Sequence, residues 1–187
     1  IARDLIRARH RGQENFNYED LPLDDAETYE KIFATGYTSG IFQFESPGMR
    51  DILRRYKPNR LTDLIALNAL YRPGPMDKIS DYIKCKHGEK EVTYLHKDLE
   101  PVLRPTYGVG IYQEQILEMA RTFAGFSLGE ADLLRRAVSK KKREILDKEF
   151  VPFSEGMKAN GYSDKSINAL WEILVPFSDY AFNKAHT

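Results

Sequence analysis

A single cysteine, Cys85, stands in the 187 residues, so neither an intrachain disulfide framework nor a multi-cysteine zinc site is available. Histidines are few as well: His10, His87, His96 and His186 are scattered, without the HxH or HExxH spacing of a metal centre. Apolar runs extend only a few residues, which excludes a membrane-spanning helix. The opening IARDLIRARHR is too charged to read as a secretory signal, and a reducing, cytoplasmic setting is the expectation. Net charge is missing too. The 28 Lys and Arg balance 28 Asp and Glu, so any affinity for phosphate or nucleic acid must come from local clustering. No P-loop string, GxGxxG fingerprint or serine nucleophile elbow occurs. Carboxylates are not grouped as a two-metal centre requires; the nearest pair, Asp24-Asp25, is explained by helix capping. No internal repeat or low-complexity tract interrupts the pattern.

What is present is a foldable composition, 42% hydrophobic and 12% aromatic, with a mainly α pattern. The first helix is met in mid-pattern at Ile1, without a cap, which leads to the expectation of a piece cut from a longer protein. Asp24 with Glu27 has the spacing of a capping box, opening a helix that buries Tyr29, Ile32 and Phe33. GYTSGIFQFE at 36–45 reads as a short strand or an extended turn. Ser46-Pro47 caps a helix with Met49, Ile52, Leu53 and Tyr56 on one face. Thr62 is the expected cap of the next helix, and RPGPM at 72–76 stops it. A helix from Ile79 to Lys86 follows. The stretch 91–110, punctuated by Pro101, Pro105 and Gly108, reads as loop with short extended pieces. Tyr112 to Phe123 is a strong helix. Ser127 and Glu130 form another capping box, opening a helix with Ala131, Leu133, Leu134 and Ala137 on its apolar side. A helix from Arg143 is expected to kink or break at Pro152, and one capped by Ser163 is expected to run to Pro176.

The sharpest chemical feature lies between Arg135 and Lys148. Seven basic residues face two acidic ones there, inside a chain of zero net charge. Adjacent arginines on a helix point about 100° apart, so Arg135 and Arg136 can share one ligand only if it is extended, as a triphosphate is. Guanidinium groups bind phosphate oxygens bidentately. A solvated helix face with a lysine-rich bend is the competing reading. Arg72 is placed to clamp an anion or simply to end a helix. Tyr112 and Gln113 are placed to stack on or hydrogen-bond a base, although a helix start needs polar residues in any case.

Five strings in series carry a resemblance: GIFQFESPGMR at 40–50, DLIALNALYRPGPM at 63–76, PTYGVGIYQEQILEMA at 105–120, AGFSLGEADLLRRAVSKKK at 124–142 and FNKAH at 182–186. Together they resemble the fingers region of the C-family DNA polymerases, the alpha subunit of bacterial DNA polymerase III. The likeness implies an irregular, mainly α fingers domain over 1–187, with 1–24 as a connecting helix and loop from the palm side and 25–187 as the core. It implies template-directed addition of deoxynucleoside triphosphates to a primer, with Mg2+ held by palm aspartates whose motifs are absent from this chain. A fragment of this kind should not polymerise alone. By the same resemblance Arg135 and Arg136, with Lys140, would hold the triphosphate, and Lys141, Lys142 and Arg143 the nucleic-acid backbone. His186 would exclude a 2′-hydroxyl; Ala185 stands where the motif usually has serine. Arg72, Gln113, Asn183 and Lys184 would line the pocket. The implied partners are the triphosphate, primer–template DNA, the rest of the polymerase chain, and a sliding clamp and proofreading subunits reached through other regions. The alternative is a non-catalytic helical scaffold binding DNA backbone or a replisome partner.

Overall fold

In the computed structural model residues 1–94, 96–139, 143–178 and 180–187 are described, with the backbone alone for Val138, Ser139, Arg143 and Ser178. Among the described residues ten α-helices follow one another: α1 (Ala2–Arg9), α2 (Ala26–Thr28), α3 (Pro47–Tyr56), α4 (Leu61–Leu70), α5 (Ile79–Lys86), α6 (Glu100–Leu103), α7 (Gln113–Ala124), α8 (Leu128–Ser139), α9 (Arg143–Ala159) and α10 (Asp164–Ser178). Among the described residues, strand pairing is limited to one isolated parallel bridge between Tyr112 and Phe182. The chain is mainly α, as its periodicity predicts.

Two apolar clusters form the interior. The first joins Tyr29, Phe44 and the inner faces of α3, α4 and α5 with Ile111, Tyr112 and Phe182. The second joins α6 through α10, around Ile116, Phe123, Leu134, Phe153, Leu174 and Phe177. The polypeptide from Tyr180 to Thr187 runs along the seam between them. Phe182 is buried in the first cluster, while Tyr180 and Ala181 lean on the second.

Several caps and faces match the pattern expected of them. The Ser46 hydroxyl accepts the Met49 N–H at 3.3 Å, and Met49, Ile52, Leu53 and Tyr56 are all buried. Ser127 and Glu130 satisfy each other's backbone N–H groups reciprocally, at 2.8 and 3.3 Å. Ser163 accepts the Ser166 N–H at 3.3 Å.

Other expectations need correction. Asp25, not Asp24, caps α2, its carboxylate accepting the Thr28 N–H at 3.1 Å. The helix then widens into a π-turn over Tyr29–Phe33. The extra residue per turn advances the face, so Tyr29 is buried while Ile32 is exposed. Of the two readings of 36–45 the turn holds: Ile41 N–H donates to Thr38 and Phe44 N–H to Ile41. Residue Arg60, not Thr62, precedes α4, and Asp63 reaches back to the Asn59 N–H at 3.1 Å. The stretch 97–106 forms consecutive helical turns, because Pro101 and Pro105 each occupy a first-turn position where a missing N–H costs nothing. Leu133 is exposed, leaving Ala131, Leu134 and Ala137 as the buried face of α8. α9 runs unbroken through Pro152 and α10 through Pro176. Both prolines lie on exposed positions, where the carbonyl deprived of its partner can bond water.

Candidate functional site

The site begins with the sequence YQEQ, which ends one turn and opens α7. Each of its four side chains has a separate task. The Gln115 carboxamide oxygen accepts the Ile111 and Tyr112 N–H groups at 2.9 and 3.0 Å. Its NH2 donates to the Thr106 hydroxyl at 2.8 Å and the Val102 carbonyl at 3.2 Å. Gln115 therefore locks the loop before α7 from inside the protein. The Glu114 carboxylate accepts the Lys184 backbone N–H, with its oxygens at 3.1 and 3.2 Å. The Tyr112 ring is buried below the Lys184 ammonium, 5.4 Å from the ring centre. Burial pushes the Tyr112 hydroxyl well above the usual phenol range. A buried ring covered by the protein's own lysine is not available to stack on a base, which corrects that expectation.

Gln113 sits between α8 and the seam segment. Its backbone N–H donates to the Phe182 carbonyl at 2.9 Å, and the Phe182 N–H donates to the Ile111 carbonyl at 2.8 Å. Its side-chain NH2 lies 3.4 Å from the Ala181 carbonyl, and its oxygen accepts from Arg135 Nη1 at 3.3 Å.

Both arginines of the basic cluster converge on a residue that sequence reasoning passed over, Asp132. Arg135 meets one Asp132 oxygen through Nε and Nη2 at 3.0 and 2.8 Å, and Arg136 meets the other through Nε at 2.8 Å. The Arg135 hydrogen bonds, followed by the charges of the two arginines, hold the Asp132 carboxyl below its usual range. The spacing i, i+3 and i, i+4 was a readable signal for this clamp. The pair is not equivalent: the Arg135 side chain is 22% exposed and turned toward Gln113, whereas that of Arg136 is 66% exposed. Lys140, Lys141 and Lys142 lie outside the described residues, as does the side chain of Arg143.

The remaining candidates lie along the seam. Arg72 donates to the Ala69 carbonyl at 2.9 Å and to the Tyr180 carbonyl at 2.7 Å, with its guanidinium 4.7 Å above the Phe182 ring. It fastens the segment to the end of α4. Asn183 caps the 3-10 turn Lys184–His186, accepting the Ala185 N–H at 3.0 Å. His186 is exposed with its ring edge-on to Phe182, 5.7 Å between centres. Asn68, deep in α4, donates to Thr187 at 3.2 Å. Arg72, Gln113, Asn183, Lys184 and His186 are thus all engaged with one short stretch of chain, and Arg135 reaches it through Gln113. Among the described residues no three His, Cys, Asp or Glu side chains gather to hold a metal ion, and no helix is long and apolar enough to cross a membrane.

Residues 1–161 match the bacterial DNA polymerase III alpha subunit finger domain family. That stretch includes Arg72, Gln113, Arg135 and Arg136 and stops before the seam segment. A DNA polymerase III subunit alpha from Halalkalibacterium halodurans is 53% identical over 180 residues, covering 96% of this chain. The protein of the same name from Staphylococcus aureus is 48% identical over 172 residues, covering 92%. In both comparisons the chain spans 16% of the relative's length.

Proposed function

The chain belongs to the bacterial DNA polymerase III alpha subunit finger domain family, and from that premise we propose that it grips the incoming deoxynucleoside triphosphate and primer–template for a replicative DNA polymerase. In this reading Arg135 and Arg136 bind the triphosphate. The observation that carries it is the clamp on Asp132, which holds two adjacent guanidiniums with one carboxylate and turns Arg135 toward the seam segment. Phosphate oxygens make charge-assisted, bidentate bonds to guanidinium of the same kind as this carboxylate does, which supports reading the pair as an anion site.

In catalysis these cations offset the negative charge that develops as the bond to the leaving pyrophosphate lengthens. They are fixed in place beforehand, so little reorganisation accompanies the reaction. His186, on its 3-10 turn, stands against the sugar and leaves no room for a 2′-hydroxyl. Lys140, Lys141, Lys142 and Arg143 serve the triphosphate or the DNA backbone. The metal ions, Mg2+ by chemistry, are held by carboxylates of another part of the full-length enzyme, so residues 1–187 bind without polymerising. Residues 1–24 connect toward that part, the clamp and proofreading subunits attach elsewhere, and the enzyme works in the cytoplasm.

The test is replacement of Arg135 and of Arg136 by Ala in the full-length polymerase, followed by single-nucleotide incorporation kinetics. Each change is expected to lower kcat/KM for nucleotide by about 100-fold, with the larger loss at the better-fixed Arg135. Unchanged kinetics in both removes the arginines from the triphosphate site. A scaffold that only holds DNA backbone predicts a different outcome: duplex affinity falls, with a shallower salt dependence, while nucleotide kinetics at saturating DNA stay the same.

A further inference from the structure

Arginine only donates hydrogen bonds, so its contact with Gln113 settles which way that carboxamide faces. The oxygen must point to Arg135 Nη1, 3.3 Å away, and the NH2 then points to the Ala181 carbonyl at 3.4 Å. One side chain therefore joins α8 to the segment that carries Phe182, Asn183 and His186. The other end of that segment's turn is held by the Glu114 carboxylate on the Lys184 N–H. A side chain with an acceptor at one corner and a donor at the other is needed for this link, and at that length only glutamine supplies both.

We infer that Gln113 is a positioning residue that couples the phosphate-binding arginine to the sugar-facing segment, and that this coupling sets discrimination between deoxyribo- and ribonucleoside triphosphates. The inference rests on the proposed roles of Arg135 and His186. The Gln113 carboxamide is engaged with Arg135 on one side and Ala181 on the other. It registers the two against each other: with Arg135 seated on the triphosphate, the Ala181 carbonyl is drawn to a set distance, and His186 closes on the 2′ position from five residues further along. Where the link is cut, the segment keeps its backbone bonds to Ile111 and Gln113, so it stays folded but closes less tightly on the sugar.

Two substitutions in the full-length polymerase test this. Gln113→Met keeps the length and volume and removes both bonds. Gln113→Glu keeps the acceptor for Arg135 and removes the donor to Ala181. The readout is the ratio of kcat/KM for a deoxynucleotide to that for the matching ribonucleotide. Any effect on the triphosphate, including the added charge of the Glu variant, acts on both substrates and cancels in that ratio. Both variants are expected to lower the ratio by about tenfold, with a normal melting temperature. An unchanged ratio in both overturns the coupling. So does a fall with Met but not with Glu, which assigns the effect to Arg135 alone. Arg135→Ala runs beside them. If it weakens nucleotide use while the Gln113 variants keep the normal ratio, the coupling fails and the triphosphate site stands. If it changes nothing, the triphosphate site fails and the coupling falls with it.

Discussion

Asp63 is a buried carboxylate with four hydrogen-bond donors around it. It is 2% exposed, and its two oxygens accept from the Tyr56 hydroxyl at 3.0 Å, the Asn59 N–H at 3.1 Å, Arg60 at 3.1 Å and Lys86 at 2.8 Å. Burial pushes its carboxyl up, but Lys86, Asn59 and Arg60 outweigh that and hold it below its ordinary value. A carboxyl whose pKa is lowered by folding stabilises the native state above its unfolded pKa of about 4. That contribution is lost as pH falls through the lower folded value. Denaturant melts of the 187-residue chain are therefore expected to weaken progressively below about pH 4. Asp63→Asn is expected to cost about 3 kcal/mol at neutral pH, because the largely covered Lys86 loses its counter-charge and keeps the neutral Asn59 carboxamide oxygen, and to flatten the acid limb. Stability that keeps the same acid dependence in the Asn variant would remove Asp63 as its source. At this level the apolar positions of α3 were readable from spacing alone, since a helix repeats every 3.6 residues. The Asp63 cluster was not, because its members come from the end of α3, the turn after it, α4 and α5. The same holds at the arginines. Their attraction to an anion follows from residue type, whereas the inward turn of Arg135 and the exposure of Arg136 follow from which side of α8 meets α7.

The serine caps were legible in the helices, since Ser46, Ser127 and Ser163 each act on an N–H group three residues away, whereas Asp24 and Thr62 misplaced two helix starts. Prolines were misleading, because their effect depends on where they fall. Pro101 and Pro105 start helical turns, and Pro152 is tolerated on an exposed side of α9. Glycine shows the same dependence on surroundings. At Gly156 a Cβ would lie 2.0 Å from the Ala124 carbonyl oxygen, so α9 reaches the end of α7 only because no side chain intervenes. Asn160 seals that contact with a bond to the Phe123 carbonyl at 2.9 Å. Alanine is the better helix former, but Gly156→Ala is expected to destabilise the chain by about 2 kcal/mol through overpacking. Gly129 in α8 has open space around it, and alanine there is expected to stabilise by up to about 1 kcal/mol. Equal shifts in denaturation midpoint for the two variants would contradict the close approach.

The two apolar clusters meet at the start of α7: Ile111 and Tyr112, just before the helix, belong to one and the body of α7 to the other, with the segment 180–187 laid over the join. Phe182 is the anchor there, buried under Arg72 and bonded through its backbone to Ile111 and Gln113. Phe182→Ala is expected to cost about 3 kcal/mol. Hydrogen exchange at the Phe182 and Gln113 amides should accelerate well before exchange in α3 or α10. Protection that stays uniform would show that the seam does not depend on this ring. Most helix positions, the caps Ser46, Ser127 and Ser163, the buried face of α3 and the concentration of positive charge were written into local sequence, because each arises from residues within one or two turns of each other. The fastening of Arg72 onto Tyr180 and the link from Arg135 through Gln113 to Ala181 arose only once distant segments were packed together. Hydrogen-bond partners 22, 68 or 108 residues apart are chosen by the shape of the packed chain, and no local preference encodes them.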